Sequence, residues 1–248
     1  MTVAAVVTAA GLGTRLGTDI PKALVRVEGR TLLAWALERV AEVCGDVVIT
    51  APSAQVEAFG RAMAEATIPP DVTVAVVAGG ETRQESVAAG VAELMSHSPR
   101  PTIILVHDAA RAFMPAEPMR VAIGAIEAGA DGAVPIVPLV DTVVAVPGAD
   151  GSLGLAVDRS ALRAAQTPQA FRASALLDAH TRGAAAKDAS APDAADQGAE
   201  VTDDASLVRR YGYRVVATEG HPWGFKVTIP GDLALAAYVA KLTQGAAS

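Results

Sequence analysis

Apolar and polar positions along the chain keep two alternating rhythms. Short runs rich in Val, Ile, Leu and Ala recur at Val3–Val7, Asp46–Thr50, Val72–Val77, Thr102–His107 and Ala130–Val137. Their length and near-continuous hydrophobicity predict buried parallel strands. Between them, apolar residues fall at helical spacing near 31–44, 53–66, 82–96 and 116–129. Strands alternating with helices make βαβ units, so the expected fold class is α/β: a doubly wound, mostly parallel sheet with helices on both faces. Local signals agree. Thr82 and Glu85 form a T-x-x-E capping box at the start of the third helix, and Pro230 suits the first turn of a last helix.

Two regions depart from this rhythm. Residues 139–158 hold two short Val/Leu-rich runs around Asp150-Gly151, a turn dipeptide that predicts a β-hairpin arm. A lone hairpin is marginal in water, so this arm is expected to lean on another surface. Residues 183–200 are Ala, Asp, Ser and Pro without bulky apolar side chains, and predict a flexible surface loop. No internal repeat is present, and the 248 residues suit a single domain.

Composition narrows the function classes. Twenty Lys and Arg against twenty-seven Asp and Glu leave a net charge of −7, which argues against nucleic-acid or membrane-surface binding. It does not exclude an anionic small molecule, because a local basic cluster acts within a Debye length of about 8 Å. The single cysteine, Cys44, rules out an intrachain disulfide and reads as a buried structural thiol. The apolar N-terminus lacks a basic leader and runs into glycines, so it reads as a strand and not a signal peptide. No run approaches the roughly 18 apolar residues of a membrane span. The expected location is cytoplasmic.

The chemistry begins after the first strand, in Ala9-Ala10-Gly11-Leu12-Gly13-Thr14-Arg15-Leu16-Gly17, with Pro21-Lys22 shortly beyond. Ligands of doubly wound sheets bind past the carboxyl ends of the strands, and glycine-rich backbone can turn its N–H groups to phosphate oxygens. The Walker A pattern is absent, and G-x-G-x-x-x-G misses the dinucleotide spacing. Two readings stand at this point: a plain glycine turn with two solvated cations, or a phosphate loop in which Arg15 and Lys22 meet a triphosphate.

A-A-G-x-G-x-R followed by P-K resembles the cytidylyltransferases of the nonmevalonate isoprenoid pathway, most of all the 2-C-methyl-D-erythritol 4-phosphate cytidylyltransferase family. The resemblance continues in order through Gly79-Gly80-Glu81-Thr82-Arg83-Gln84-Glu85-Ser86, Val106-His107-Asp108-Ala109-Ala110-Arg111, Asp141-Thr142 and Val157-Asp158-Arg159. It ends with Gln166-Thr167-Pro168-Gln169, Thr202-Asp203-Asp204-Ala205-Ser206 and Phe225-Lys226-Val227-Thr228. Two departures stand out: Thr8 lies where the family often has Pro, and residues 183–200 exceed what the family needs.

The resemblance implies a Rossmann-like nucleotidyltransferase fold with a protruding β-hairpin arm, and transfer of CMP from CTP to a polyol phosphate with release of pyrophosphate. It implies Arg15 and Lys22 as catalytic cations. Ala9, Ala10, Gly11, Gly13, Gly79, Gly80 and Ser86 are the implied nucleotide-binding set. Asp108, Arg111, Thr142, Arg159, Thr167 and Lys226 are the implied substrate-binding set, with Asp108 as the Mg²⁺ ligand; His107 reads as structural. The arm implies a homodimer in which Thr142 and Arg159 serve the neighbour's site. Other readings stay open: a ribitol 5-phosphate cytidylyltransferase, a transferase using another nucleotide, or a non-catalytic nucleotide-binding domain.

Overall fold

Strand β1 (Val3–Thr8) runs through the centre of the sheet, bonded to β4 (Asp46–Ala51) on one side and β6 (Ile103–Asp108) on the other, both parallel. The computed structural model describes residues 1–11, 13–146, 149–188 and 203–245. Between β1 and β4 lie the small β2 (Arg26–Val27) and β3 (Arg30–Thr31) ribbon and α1 (Leu32–Ala41). The chain continues through α2 (Val56–Met63), β5 (Thr73–Ala78), α3 (Arg83–Ser96), β6, α4 (Ala116–Glu127) and β7 (Gly132–Pro138). Then come β8 (Val143–Val144), β9 (Ala156–Val157), β10 (Arg163–Ala165), β11 (Gln169–Arg172), α5 (Ala173–Asp188), α6 (Asp204–Arg210), β12 (Val215–Glu219) and α7 (Pro230–Gly245).

The main sheet has eight strands. Strand β11 runs antiparallel between β6 and β7, β10 is antiparallel to β7, and β12 is parallel to β7. All but β10 and β11 of the eight strands share one direction, so the sheet is mostly parallel as the sequence implies. The five expected strands and four expected helices form within a few residues of their expected ends.

The period-2 geometry of a strand sorts its side chains onto two faces. Ala5 and Val7 of β1 face one core with Leu33 and Leu37 of α1, Phe59 of α2 and Met119 of α4. Ala4 and Val6 face the other, with Val87 and Leu94 of α3, Leu176 of α5 and Val208 of α6. Helix α3 lies close against the sheet at Gly90, where an added Cβ would sit 2.5 Å from Val6 Cγ1 and 3.1 Å from Thr50 Cγ2. Gly90→Val is therefore expected to lower stability by about 1–3 kcal/mol through overpacking. Urea unfolding checks it: the midpoint drops at constant m-value, and an unchanged midpoint contradicts the contact.

Helix α3 starts with both halves of the Thr82/Glu85 capping box in place. Helix α7 begins at Pro230, and Asp232 accepts from the N–H groups of Thr228 and Ile229. The expected hairpin forms as a short antiparallel pairing of β8 and β9, with Gly151 at φ +79° near its tip. Cys44 is buried. The expected loop 183–200 needs correction: α5 continues through 183–188, and residues 189–200 lie outside the described residues. Alanine has the highest helix propensity of any residue, so an Ala-rich stretch poor in large apolar groups can still extend a helix. Among the described residues no helix is long and apolar enough to cross a membrane.

Candidate active site

The chain leaves β1 toward β4 and β5, then returns to β6 on β1's other side. The C-terminal ends of β1 and β6 therefore mark the point where strand order reverses, which is where doubly wound sheets open a ligand crevice. A cavity of about 460 Å³ lies there. It gathers Ala9, Ala10, Gly11, Gly13, Arg15 and Lys22 from the first loop, Gly80 and Ser86 from the start of α3, Asp108 from β6, and Lys226. Its charged lining is Arg15, Lys22, Arg83 and Lys226 against Glu81 and Asp108. An acidic chain thus presents a locally basic hollow.

The glycine loop folds back on itself, and Lys22 N–H donates to Gly11 O at 3.2 Å. Gly13 has φ +70°, and a Cβ there would lie 3.2 Å from Lys22 N and 3.3 Å from Lys22 Cβ. Backbone conformation and close approach both demand glycine. The reward is a lysine held in place, with Lys22 only 9% exposed. Burial pushes its ammonium below the ordinary lysine range, and the nearby charges of Lys226 and Arg15 push the same way.

Lys226 arrives from the far end of the sequence. Phe225 stacks near Phe113 and Val227 is fully buried, while Val227 N–H donates to Ala110 O. The extended alternation turns the intervening Lys226 the opposite way, toward the cavity.

Asp108 is the floor. Its Oδ2 accepts from Lys226 Nζ at 2.6 Å, and its Oδ1 from Arg83 Nε at 3.3 Å and Thr8 Oγ1 at 3.2 Å. Burial alone would raise its pKa, but Arg83 and Lys226 outweigh that and hold the carboxyl well below the usual carboxylate range. Thr8 has a use that Pro at this position would lack. Among the described residues, no cluster of three or more acidic, His or Cys side chains surrounds a point. A magnesium ion does not need one: one or two carboxylates with phosphate oxygens and water suffice, and a hard oxygen donor at the cavity floor fits that requirement.

Of the other expected residues, Ser86 alone lines the cavity. Gly79 lies behind the lining, its N–H donating to Ala51 O at 2.7 Å. Ser86 reaches the cavity, but its hydroxyl also donates to Thr82 O at 3.0 Å. Thr167 is turned inward: its Oγ1 accepts the Asp108 N–H at 3.0 Å and lies 3.1 Å from His107 Nδ1. Arg111 is a strut, donating through Nη1 to Gly224 O at 2.7 Å and through Nη2 to Ala165 O at 3.1 Å. It fastens the segment before Lys226 to β10, so a direct phosphate grip by Arg111 is not what this arrangement offers. Thr142 and Arg159 flank the hairpin, exposed and outside the cavity lining, with Arg159 donating to Val140 O. His107 is fully buried and its imidazole is pushed down to about 4 by burial, so it is neutral and structural.

Motif reading missed Arg83 and Asp204 as site residues. Arg83 Nη1 donates to Asp204 Oδ2 at 2.6 Å while its Nε reaches Asp108. Both stand inside the recognised motifs, but their pairing links positions far apart in the chain and only the fold reveals it.

Residues 3–241 match the family model described as 2-C-methyl-D-erythritol 4-phosphate cytidylyltransferase. The chain belongs to this family. A family enzyme of Saccharopolyspora erythraea is 41% identical over 238 residues, covering 95% of this chain and 98% of the relative. One from Streptomyces coelicolor is 40% identical over 240 residues, covering 94% and 83% respectively. The crystal structure of the Thermus thermophilus family member superposes with a TM-score of 0.73 at 33% identity, covering 97% of this chain and all of that one. The superposition shows that the family shares this fold.

Proposed function

We propose that this chain transfers CMP from CTP to 2-C-methyl-D-erythritol 4-phosphate, releasing pyrophosphate and forming 4-CDP-2-C-methyl-D-erythritol in the nonmevalonate route to isoprenoid precursors. The single observation that carries the mechanism is the basic cavity at the β1/β6 switch point, with an ionised Asp108 at its floor.

In the reaction, an oxygen of the polyol phosphate attacks the α-phosphorus of CTP; a new P–O bond forms and the bond to the β-phosphate oxygen breaks. That nucleophile is ionised at neutral pH, so the site needs no general base. It must bring two polyanions together and stabilise charge growing on pyrophosphate. The backbones of Gly11 and Gly13 and the Arg15 guanidinium face the triphosphate, and Lys22 supplies a fixed, desolvated ammonium beside it. Ala9, Ala10, Gly79, Gly80 and Ser86 shape the nucleoside end, where unpaired polar groups would penalise a different base. Asp108 is the residue that would hold Mg²⁺, and the ion would supply Lewis-acid stabilisation of phosphate charge. Lys226 anchors the polyol phosphate; Thr167 holds the Asp108 backbone, and Arg111 holds the segment that leads into Lys226 at Gly224, so that these charges are aimed.

The exposure of Val146, Leu153 and Leu155 at 78–90% supports an arm that is covered in a homodimer. The partner's arm then carries Thr142 and Arg159 to this site. A cytoplasmic location suits a reaction between two water-soluble substrates.

Incubating the chain with Mg²⁺, one of CTP, UTP, GTP or dTTP, and either methylerythritol 4-phosphate or ribitol 5-phosphate tests the reading. Pyrophosphate is expected chiefly from CTP with methylerythritol phosphate. Equal or greater release with ribitol phosphate, or with another nucleotide, contradicts it.

A further inference from the structure

Arg83 opens α3 with its guanidinium stretched between two carboxylates that are not equivalent. The bond to Asp204 is 2.6 Å and that to Asp108 is 3.3 Å. Asp204, the first residue of α6, has a fully buried side chain, and its other oxygen lies 3.0 Å from His180 Nε2. Asp108 faces the cavity and already shares its oxygens with Lys226 and the Thr8 hydroxyl. Arg83 is thus tied closely to a carboxylate that cannot move away, and less closely to the one that faces incoming ligands.

This asymmetry has a chemical consequence. A carboxylate paired with two cations is a poor ligand for a third, because each pairing must be loosened first. Loosening Arg83 from Asp108 would strand a largely buried guanidinium, which is costly unless another charge remains beside it. Asp204 is that charge. We propose that Asp204 is a positioning residue that tunes the affinity of Asp108 for the catalytic cation: by keeping Arg83, it frees Asp108 to exchange the guanidinium for a divalent ion. The inference rests on the reading of Asp108 as the cation's ligand. Without the Asp204 charge, Asp108 is the one carboxylate among the described residues to which Arg83 is directly bonded, and the guanidinium opposes the metal.

The test separates metal from nucleotide. Calorimetry gives the Kd for CTP with and without Mn²⁺, in the absence of polyol phosphate so that no turnover occurs. The ratio of the two is the metal's contribution, and any direct contact of Arg83 with CTP largely cancels from it. In Asp204→Asn, an isosteric change, the ratio is expected to fall by about fivefold or more, the scale of ordinary coupling between sites. In Arg83→Gln it is expected to rise. The double variant should follow Arg83→Gln, since residue 204 acts only through Arg83.

A folded Asp204→Asn protein with the wild-type ratio overturns the proposal, as does a ratio in Arg83→Gln that stays the same or falls. If Asp204→Asn does not fold, Arg83→Gln decides alone. The parent reading has its own control. Asp108→Asn should abolish the metal's contribution, and if it instead keeps the wild-type ratio, the assignment of Asp108 fails whatever Asp204 does.

Discussion

Asp108→Asn is expected to lower kcat by about a hundredfold or more, because a lost metal ligand removes several kcal/mol of charge stabilisation in the transition state. The fold should survive: Arg83 retains Asp204, and Lys226, with a side chain 40% exposed, can turn to water. Steady-state turnover with circular dichroism on the same sample checks both halves, and an unchanged kcat removes Asp108 from the chemistry. The variant should also change acid stability. A carboxyl held below its unfolded pKa stabilises the native state above about pH 4, and that contribution is lost as the pH falls. The Asn variant should lack this component of the wild-type acid transition.

The parts of the fold that a local pattern can carry were legible in the sequence. Val3–Val7 and Thr102–His107 are short apolar runs that suit a buried strand; the structure extends the first by one residue to Thr8 and shifts the second by one, to Ile103–Asp108. Strand β11 was not legible. Gln169–Arg172 is four residues with no alternation, made a strand by its antiparallel pairing with β6 and β7. The same holds for β12, whose parallel partner β7 lies far away in the chain.

The site divides in the same way. The glycine loop, Lys22, Asp108 and Lys226 carry their chemistry in residue type and motif, and the fold brings them to one cavity. Arg111 and Thr167 carry the right chemistry too, but their bonds go to Gly224, Ala165 and the end of β6. Residue type cannot reveal that a donor is already used. Arg83 and Asp204 show the converse, since their importance lies in a bond across 121 positions of chain.

Lys22→Met is expected to reduce kcat by about 10²–10³-fold, the usual cost of deleting a preorganised donor to developing charge. Methionine is unbranched, only one atom shorter than lysine, and suits a residue that is 9% exposed, so stability should change little. The pH profile distinguishes a working ammonium from a structural one. Burial, then Lys226 and Arg15, lower the Lys22 pKa. The charged form is therefore lost as pH rises, and kcat/KM, which reports the free enzyme, should decline below the ordinary lysine value of about 10.4. Removing one of the like charges, as in Lys226→Met, should move that alkaline limb to higher pH. A limb that does not move, or a Lys22→Met enzyme of normal kcat, contradicts the assigned role.

The most direct measurement is a crystal structure with CTP and Mg²⁺ bound. The triphosphate should lie along Gly11–Arg15 with the Lys22 ammonium against it, and an Asp108 oxygen should ligate the cation at about 2.0–2.1 Å. A nucleotide seated outside the β1/β6 crevice, or one seated there with Asp108 still bonded only to Lys226, Arg83 and Thr8, would contradict the assignment.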